Sequence, residues 1–278
     1  MESRVVLITG ASSGFGRACA ELLAELGHRV YGTSRRADFP DSASPDPTEF
    51  RSAPLVIPMD VRDDDSVRRA VEFVLKHEGR IDVVVNNAGV GLAGSVEDTS
   101  IDEARALFET NLFGVLRVCR AVLPTLRAQK SGLVVNVSSL GGLVTIPFQG
   151  FYSASKYALE SISDALRMEL RPFGVHVTLL EPGDFKTGFT ERRVFSTESG
   201  DGSAYRERCQ RAISVMERDE RDGADPRRLA DLLAKIIANP SPRNRYPVGT
   251  LSQRLAVAAR RVVPSAIIDK ALRAIYKI

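Results

Sequence analysis

The chain has 278 residues, 44% of them hydrophobic and 26% charged, a composition typical of a globular protein of one large α/β domain. A net charge of +3 is too small to indicate nucleic-acid binding, and the three widely spaced cysteines suggest neither a disulfide framework nor metal ligands. We therefore expect no metal and a reducing, cytoplasmic location. The sequence shows no signal-peptide pattern and no apolar stretch near the ~20 residues of a membrane span.

A dinucleotide-binding pattern opens the chain. Residues 5–9 form an apolar, β-branched run typical of a strand buried on both faces, and a helical pattern covers 17–26. Glycines between a strand and a helix let the backbone approach a pyrophosphate, and the free N–H groups of the helix start attract its charge. The expected cofactor contacts in this turn are Gly10, Ser12, Ser13, Gly14, Phe15 and Gly16.

The end of the second predicted strand, 28–33, carries the cations Arg35 and Arg36. Many NAD-binding proteins place an acidic residue about here to hold the ribose 2′-hydroxyl, whereas arginines suit a 2′-phosphate. The pattern favours NADP(H) and leaves NAD(H) open, because the arginines are also typical of a solvated loop. Asp38 serves a ribose if the strand ends later.

The next elements alternate between strands and helices. A surface loop over 41–54 precedes a strand over 55–59, after which Asp60 and Val61 are placed to meet an adenine. A helix over 63–77 and a strand over 81–85 follow. The turn containing Asn87, Ala88 and Gly89 then lies at the carboxyl end of that strand, where open α/β sheets bind ligands.

The second half continues the alternation. We predict helices over 101–127, 152–171 and 227–238, and strands over 133–137, 175–180 and 246–248. The polar segment 188–226 contains a predicted helix over 205–217 and is long enough to be a functional loop. The pattern predicts a single Rossmann-type domain over 1–278, with a doubly wound parallel sheet and helices on both faces.

One pair of residues indicates chemistry. Tyr152 and Lys156 are four residues apart in a helical pattern, so they share one helix face. A phenol has a pKa near ~10, and a fixed ammonium one turn away favours the phenolate and lowers that pKa. Such a pair also occurs by chance, so its meaning depends on the other motifs.

Together these motifs resemble the short-chain dehydrogenase/reductase family. The matching residues are Thr9–Gly16, Asn86–Gly89, Asn111, Ser139, Tyr152–Lys156 and Pro182–Gly183 with Thr187, in the family's order. The resemblance implies a seven-stranded sheet in the order 3-2-1-4-5-6-7 and a catalytic set of Asn111, Ser139, Tyr152 and Lys156. Ser139 is chosen over Ser138 because the family's serine lies thirteen residues before the tyrosine.

The resemblance also implies roles for these side chains. Tyr152 exchanges a proton with the substrate oxygen, Ser139 donates a second hydrogen bond to it, and Lys156 holds the nicotinamide ribose. Asn111 positions a water that joins Lys156 to solvent. The nicotinamide carboxamide is expected against Pro182, Gly183 and Thr187.

The substrate side is predicted to be apolar. Leu140, Phe148 and Phe189 are expected to meet a lipophilic carbonyl compound or secondary alcohol, beside Ser139 and Tyr152, and Phe185 and Phe195 are further candidates. Any one of these side chains can equally belong to the core. The tail after Arg245 is similar to the branch of 17β-hydroxysteroid and retinol dehydrogenases, which favours a steroid-, retinoid- or lipid-like substrate.

Partners and rival functions stay open at this stage. A C-terminal helical extension is predicted over 250–278. It contains a basic amphipathic stretch over 265–278, with Arg254, Arg260 and Arg261 upstream. Such a stretch more often covers a pocket or forms a subunit contact than lies on a membrane surface. The family implies a homodimer or homotetramer through the helices 101–127 and 152–171. The rival functions are an NAD-linked alcohol dehydrogenase and a non-catalytic NADP-binding sensor or scaffold.

Overall fold

The computed structural model describes residues 2–40, 53–260 and 262–278. Most of the surface loop predicted over 41–54 and the cation Arg261 therefore lie outside the described residues.

A parallel sheet of seven strands forms the centre of the domain. Its order, β3-β2-β1-β4-β6-β7-β9, is 3-2-1-4-5-6-7 when only the strands of this sheet are counted, which confirms the expected topology. The nine described strands are β1 (Val5–Ile8), β2 (Arg29–Ser34), β3 (Leu55–Pro58), β4 (Val83–Asn86), β5 (Leu92–Ala93), β6 (Gly132–Val137), β7 (Val175–Pro182), β8 (Val194–Phe195) and β9 (Arg245–Val248).

Helices cover both faces of this sheet. In the described chain the α-helices are α1 (Gly14–Glu25), α2 (Asp64–Glu78), α3 (Ile101–Phe108), α4 (Gly114–Gln129), α5 (Gly150–Leu170), α6 (Arg206–Arg221), α7 (Pro226–Ala238), α8 (Leu251–Ala259) and α9 (Ser265–Tyr276). Side chains alternate along β1. Val5 and Leu7 join the core under α2, α4 and α5, whereas Val6 and Ile8 join the core under α1 and α7.

The predicted helix over 101–127 is not continuous. A π-helical turn, Glu109–Phe113, separates α3 from α4 and contains the fully buried Asn111. The apolar periodicity continues through this turn, so the sequence pattern did not reveal the interruption. π-turns are rare and occur frequently at functional sites.

The segment 188–226 also differs from the prediction, and the C-terminal tail is helical. β8 pairs with β5 in a separate two-stranded sheet, and α6 runs four residues past the expected 205–217 helix. The tail, predicted as a helical extension over 250–278, forms two helices, α8 and α9. Its last residues Tyr276 and Ile278 pack with Phe148 and the buried face of α6.

Neither a membrane span nor a metal cluster is found where the structure describes the chain. Over residues 2–40, 53–260 and 262–278, no helix is both long and apolar enough to cross a bilayer. The same residues contain no group of three or more His, Cys, Asp or Glu side chains that could hold a metal ion. All three cysteines are free and buried.

One partly buried ion cluster links α5 to the edge of the sheet. Arg245 donates to Glu181 over 2.8 Å and to Asp164 over 2.7 Å, and it also pairs with Glu160. Glu181 is only 1% exposed. Its burial, together with the facing Glu160 carboxylate, raises the pKa of Glu181 to about 7.

Glu181 should therefore make the protein less stable as the pH rises. The pKa of Glu181 is about 7 in the folded state and lower in the unfolded state, so between these values the folded state binds a proton that the unfolded state has lost. The stabilisation that this proton gives the folded state is lost as the pH rises through 7. The free energy of unfolding of the parent should fall between pH 5.5 and pH 8. In Glu181→Gln this fall should be smaller than in the parent, by on the order of 2 kcal/mol. Urea unfolding of both proteins at the two pH values tests this. An equal fall in both would contradict it.

Candidate active site

The glycine turn after β1 has room for backbone only. Gly10 has a φ of +66°, and a Cβ there would lie 3.0 Å from the Cα of Ala88. A Cβ on Gly16 would lie 2.3 Å from the carbonyl oxygen of Gly10. These positions therefore require glycine, and the reason is close packing of the turn against α1 and the end of β4.

Hydrogen bonds join this turn to the Asn87–Gly89 turn. The hydroxyl of Thr9 accepts from the backbone N–H groups of Asn87 and Ala88, each over 2.9 Å. The side-chain amide of Asn87 donates to the carbonyls of Thr9 and Gly10, over 2.9 and 3.1 Å. The two predicted cofactor segments therefore form one rigid unit at the carboxyl edge of the sheet.

The start of α1 suits a pyrophosphate. Ser13 is its N-cap but makes no side-chain capping bond, and the first turn carries no acidic residue. The N–H groups of this helix end therefore have no competing carboxylate beside them. Thr187 approaches Gly14, and a cleft of about 360 Å³ lies between α1, residues 186–188 and residues 225–227. Ser12 is exposed in the turn, which fits its predicted role.

The side chain of Phe15 packs in the core. Its ring packs edge-to-face on Phe185, with the ring centres 5.0 Å apart, in the core on the α1 side of the sheet. The side chain is thus a packing group, because the helix turns it away from the cleft. Phe185 is 4% exposed, so it belongs to the core and not to a substrate wall.

Arg35 and Arg36 are exposed where β2 ends. The adjacent Asp60 accepts from Arg62 over 2.7 Å. That hydrogen bond holds the pKa of Asp60 below its usual range, and the charge of Arg35 adds to the effect. Asp60 is therefore already paired. The side chain of Val61 packs into the core, where a Cβ on Gly114 would lie 2.8 Å from it.

Tyr152 and Lys156 lie one turn apart near the start of α5, as their spacing predicts. The Lys156 ammonium is 5.9 Å from the centre of the Tyr152 ring and donates to the carbonyl of Val137 over 2.9 Å. The Ser139 hydroxyl accepts from the N–H of Gly141 over 3.0 Å, and a Cβ on Gly141 would lie 3.3 Å from this hydroxyl and 3.5 Å from the Tyr152 ring. The phenol, the hydroxyl and the ammonium therefore converge at the end of β6.

The protonation states of this group follow from burial. Burial raises the pKa of Tyr152 to about 12, although the hydrogen bond to Ser139 acts in the opposite direction. Burial also lowers the pKa of Lys156 to about 8. The expected lowering of the phenol pKa by Lys156 is thus not seen in the protein alone, because desolvation outweighs the neighbouring groups. At neutral pH the phenol holds its proton.

Asn111 is held by the backbone around it. Its amide oxygen accepts from the N–H of Val90 over 2.9 Å, and its amide nitrogen donates to the carbonyl of Val90 and the hydroxyl of Ser155. A Cβ on Gly89 would lie 3.4 Å from this amide oxygen and 3.8 Å from the Lys156 nitrogen. The π-turn therefore brings Asn111 to the same glycine that faces Lys156.

The segment from Pro182 to Thr187 crosses from the end of β7 to the glycine turn. The N–H of Gly183 donates to the carbonyl of Val248 over 2.7 Å. A Cβ on Gly183 would meet Leu140 at 3.0 Å and the side chain of Gln253 at 2.5 Å. The tail helix α8 therefore reaches the expected nicotinamide end of the site through Gln253.

The predicted substrate residues divide between the site and its surroundings. The Phe189 ring lies 5.7 Å from the Tyr152 ring, and Leu140 is buried beside Gly183. Phe148 packs under α6 with a φ of +57°, a conformation that is uncommon for a phenylalanine. Phe195 is 51% exposed on β8 and lines no wall of the site.

Three residues near the site were missed by sequence reasoning. Arg192 donates to the carbonyl of Gly188 over 2.7 Å and to the hydroxyl of Ser13, so its guanidinium lies over the start of α1. Arg193 lies over the Phe189 ring, 5.8 Å from its centre. The third is Gln253. The only sequence signal for Arg192 and Arg193 was the placement of two arginines in a long segment, which is also typical of a solvated loop, and Gln253 had no such signal.

Comparison with known proteins identifies the family. The model of the short chain dehydrogenase family matches residues 4–197. This chain belongs to that family. A 3-ketodihydrosphingosine reductase from Bacteroides thetaiotaomicron is 42% identical over the whole of both chains. A dehydrogenase/reductase SDR family member 7B from Xenopus laevis is 31% identical over 95% of this chain and 80% of its own.

Solved structures agree with this assignment. A short-chain dehydrogenase from Streptomyces avermitilis superposes with a TM-score of 0.80 at 34% identity, covering 98% of each chain. A short-chain dehydrogenase/reductase from Burkholderia phymatum, solved in complex with NAD, has a TM-score of 0.77 at 26% identity over 97% of this chain and 95% of its own. The protein is thus an oxidoreductase of a family that binds a nicotinamide cofactor.

Replacing Gly16 by alanine should weaken cofactor binding. The new Cβ would meet the Gly10 carbonyl, so the turn must open and its N–H groups must leave their alignment. We expect Gly16→Ala to raise the dissociation constant for NADPH by about tenfold or more, measured by fluorescence titration.

The matched control is Gly200→Ala, since a Cβ there meets nothing closer than 4.0 Å. Binding by Gly200→Ala should match the parent. Equal affinity in all three proteins would contradict the predicted role of the turn.

Proposed function

We propose that the protein reduces a ketone on a long-chain, lipid-like molecule with NADPH, and that Tyr152 donates the proton. The main support is the position of Tyr152, which is buried between Ser139 and Phe189 and one turn from Lys156. The relative from Bacteroides thetaiotaomicron is named for 3-ketodihydrosphingosine, and this compound is therefore the first substrate to test.

The chain supplies orientation and proton transfer. The cofactor supplies the hydride when it is bound. Tyr152 holds its proton at neutral pH and gives it to the oxygen on which negative charge develops. The Ser139 hydroxyl donates a second hydrogen bond to the same oxygen, which stabilises the charge. The Lys156 ammonium, close to the phenol, stabilises the phenolate that remains.

The cofactor would be held along the carboxyl edge of the sheet. Gly10, Gly14 and Gly16 give the pyrophosphate access to the start of α1, and Arg192 adds a cation above it. Gly183 and Thr187 hold the nicotinamide end. Arg35 and Arg36, exposed at the end of β2, favour a 2′-phosphate and hence NADP(H) over NAD(H).

An apolar wall supports the choice of a lipophilic substrate. Phe189 packs beside Tyr152, Leu140 is buried beside Gly183, and Phe148 packs against the apolar residues of α6. An extended apolar surface with few polar groups suits a hydrocarbon chain. The last residues of α9 pack on α6, which favours a tail that covers this pocket over one that lies on a membrane.

The proposal includes self-association and a reducing location. Phe113 and Met168 are 43% and 71% exposed at the helices that the family uses as subunit faces, which supports a homodimer or homotetramer. Three free cysteines fit the cytoplasm.

Tyr152→Phe should abolish turnover and leave cofactor affinity almost intact. The substitution removes only the hydroxyl, so kcat for 3-ketodihydrosphingosine should fall by about 10²–10⁴-fold while the dissociation constant for NADPH stays within about threefold. The control is Tyr157→Phe, because Tyr157 donates to the Leu143 carbonyl on the same helix but not in the site. Full activity of Tyr152→Phe would refute the assignment.

Arg35→Ala should reduce the preference for NADPH. Loss of a charge-assisted hydrogen bond to the 2′-phosphate should raise KM for NADPH by about tenfold and leave KM for NADH within about twofold. Steady-state kinetics with both cofactors measure the ratio. An unchanged ratio, or a parent that prefers NADH, favours the NAD-linked dehydrogenase instead.

A further inference from the structure

Arg193 is a buried cation close to the reacting phenol. It lies in the segment between Phe189 and β8, and its side chain has 0% exposure. The guanidinium is 5.8 Å from the centre of the Phe189 ring, which is itself 5.7 Å from the Tyr152 ring. The positive charge of Arg193 is felt at Tyr152. The Phe189 ring is therefore close to both the Arg193 guanidinium and the Tyr152 ring.

The hydrogen bonds of this guanidinium are incomplete. One terminal nitrogen, Nη2, donates to Glu220, whose other carboxylate oxygen accepts from Thr190 over 2.5 Å. The Nε and Nη1 atoms of Arg193 are buried and have no partner among the described residues. Burying N–H groups of a charged side chain without acceptors is unfavourable by about 1–3 kcal/mol each, which points to an acceptor from outside the chain.

The surroundings carry more carboxylates than cations. Asp184 lies close enough to Glu220 and Asp219 to feel their charge. Arg193 pairs with Glu220, and Arg218 pairs with Asp219. Three carboxylates against two guanidinium groups leave an excess of negative charge. An anionic ligand is therefore disfavoured here, whereas a cation that also carries an oxygen acceptor is favoured.

We propose that Arg193 and Glu220 form the polar end of the substrate site and bind an amino-alcohol group next to the ketone. A substrate hydroxyl oxygen accepts from Nη1 of Arg193, and a substrate ammonium lies against Glu220 and Asp184. The apolar chain extends along Phe148 and α6. This inference rests on the proposed function, since it names the group by which a long-chain ketone is recognised.

A purely structural ion pair is the competing explanation. A buried pair can hold the 188–226 segment against α6 without touching a substrate, and such pairs add little stability over apolar residues of similar size. The two explanations differ in one measurable respect. Only a recognition role makes the effect of a substitution depend on whether the substrate carries the amino-alcohol group.

The test compares two ketones in the same detergent micelles with NADPH. 3-Ketodihydrosphingosine carries an amine and a hydroxyl next to its ketone, and octadecan-3-one lacks both. The measured quantity is the ratio of their kcat/KM values. In Arg193→Lys and in Glu220→Gln the ratio should fall by about tenfold or more relative to the parent. Arg221→Lys is the matched control, because Arg221 pairs with Glu217 on the exposed side of α6.

Each outcome decides the inference. A lower ratio in both variants, with the parental ratio in Arg221→Lys, supports it. If both ketones lose activity by the same factor, Arg193 is structural and the inference is overturned. If the parent reduces neither ketone, the proposed function fails, and calorimetric binding of dihydrosphingosine decides instead. Weaker binding to Arg193→Lys than to the parent then supports the polar end, and equal binding overturns it.

Discussion

The arrangement of the site depends on one buried ammonium. Lys156 is 5% exposed, and its charge is stabilised by the backbone carbonyl of Val137 at the end of β6 and by the nearby Glu160 carboxylate. Burial brings its pKa down to about 8, which is still above neutral pH, so the group stays protonated at pH 7. α5 is fixed against β7 and β6, so Tyr152 is held one turn from this charge. The phenol thus faces Ser139 through the packing of the core.

The two halves of the sheet contribute different parts of the site. The half that begins with β1 supplies the glycine turn and the hydrogen bonds between Thr9 and Asn87, which fix a surface for a phosphate. The half that contains β6 and β7 supplies Ser139, Lys156 and Gly183. The segment 188–226 closes over both, with Arg192 directed toward the first half and Arg193 toward the second.

Local patterns in the sequence predicted much of this, and their success has a physical basis. Strands buried on both faces are continuously apolar, glycines are required where a Cβ would collide, and residues four apart share a helix face. The unpredicted features depend on distant contacts. The π-turn at Asn111 is held by Val90, the left-handed Phe148 is packed by α6, and Gln253 approaches Gly183 from the tail. The raised pKa of Tyr152 likewise comes from burial, which the spacing of Tyr152 and Lys156 could not reveal.

The central claim is that Tyr152 is a proton donor whose acidity the assembled site adjusts. Its ionisation can be followed directly by ¹³C NMR of protein labelled at tyrosine Cζ, with Tyr152→Phe used to assign the signal. In the protein alone the phenol should titrate near the pKa of about 12 that burial imposes. With saturating NADP⁺, whose nicotinamide ring is positively charged, we expect the pKa to fall below about 9. A pKa that stays at its starting value when NADP⁺ binds would contradict the account.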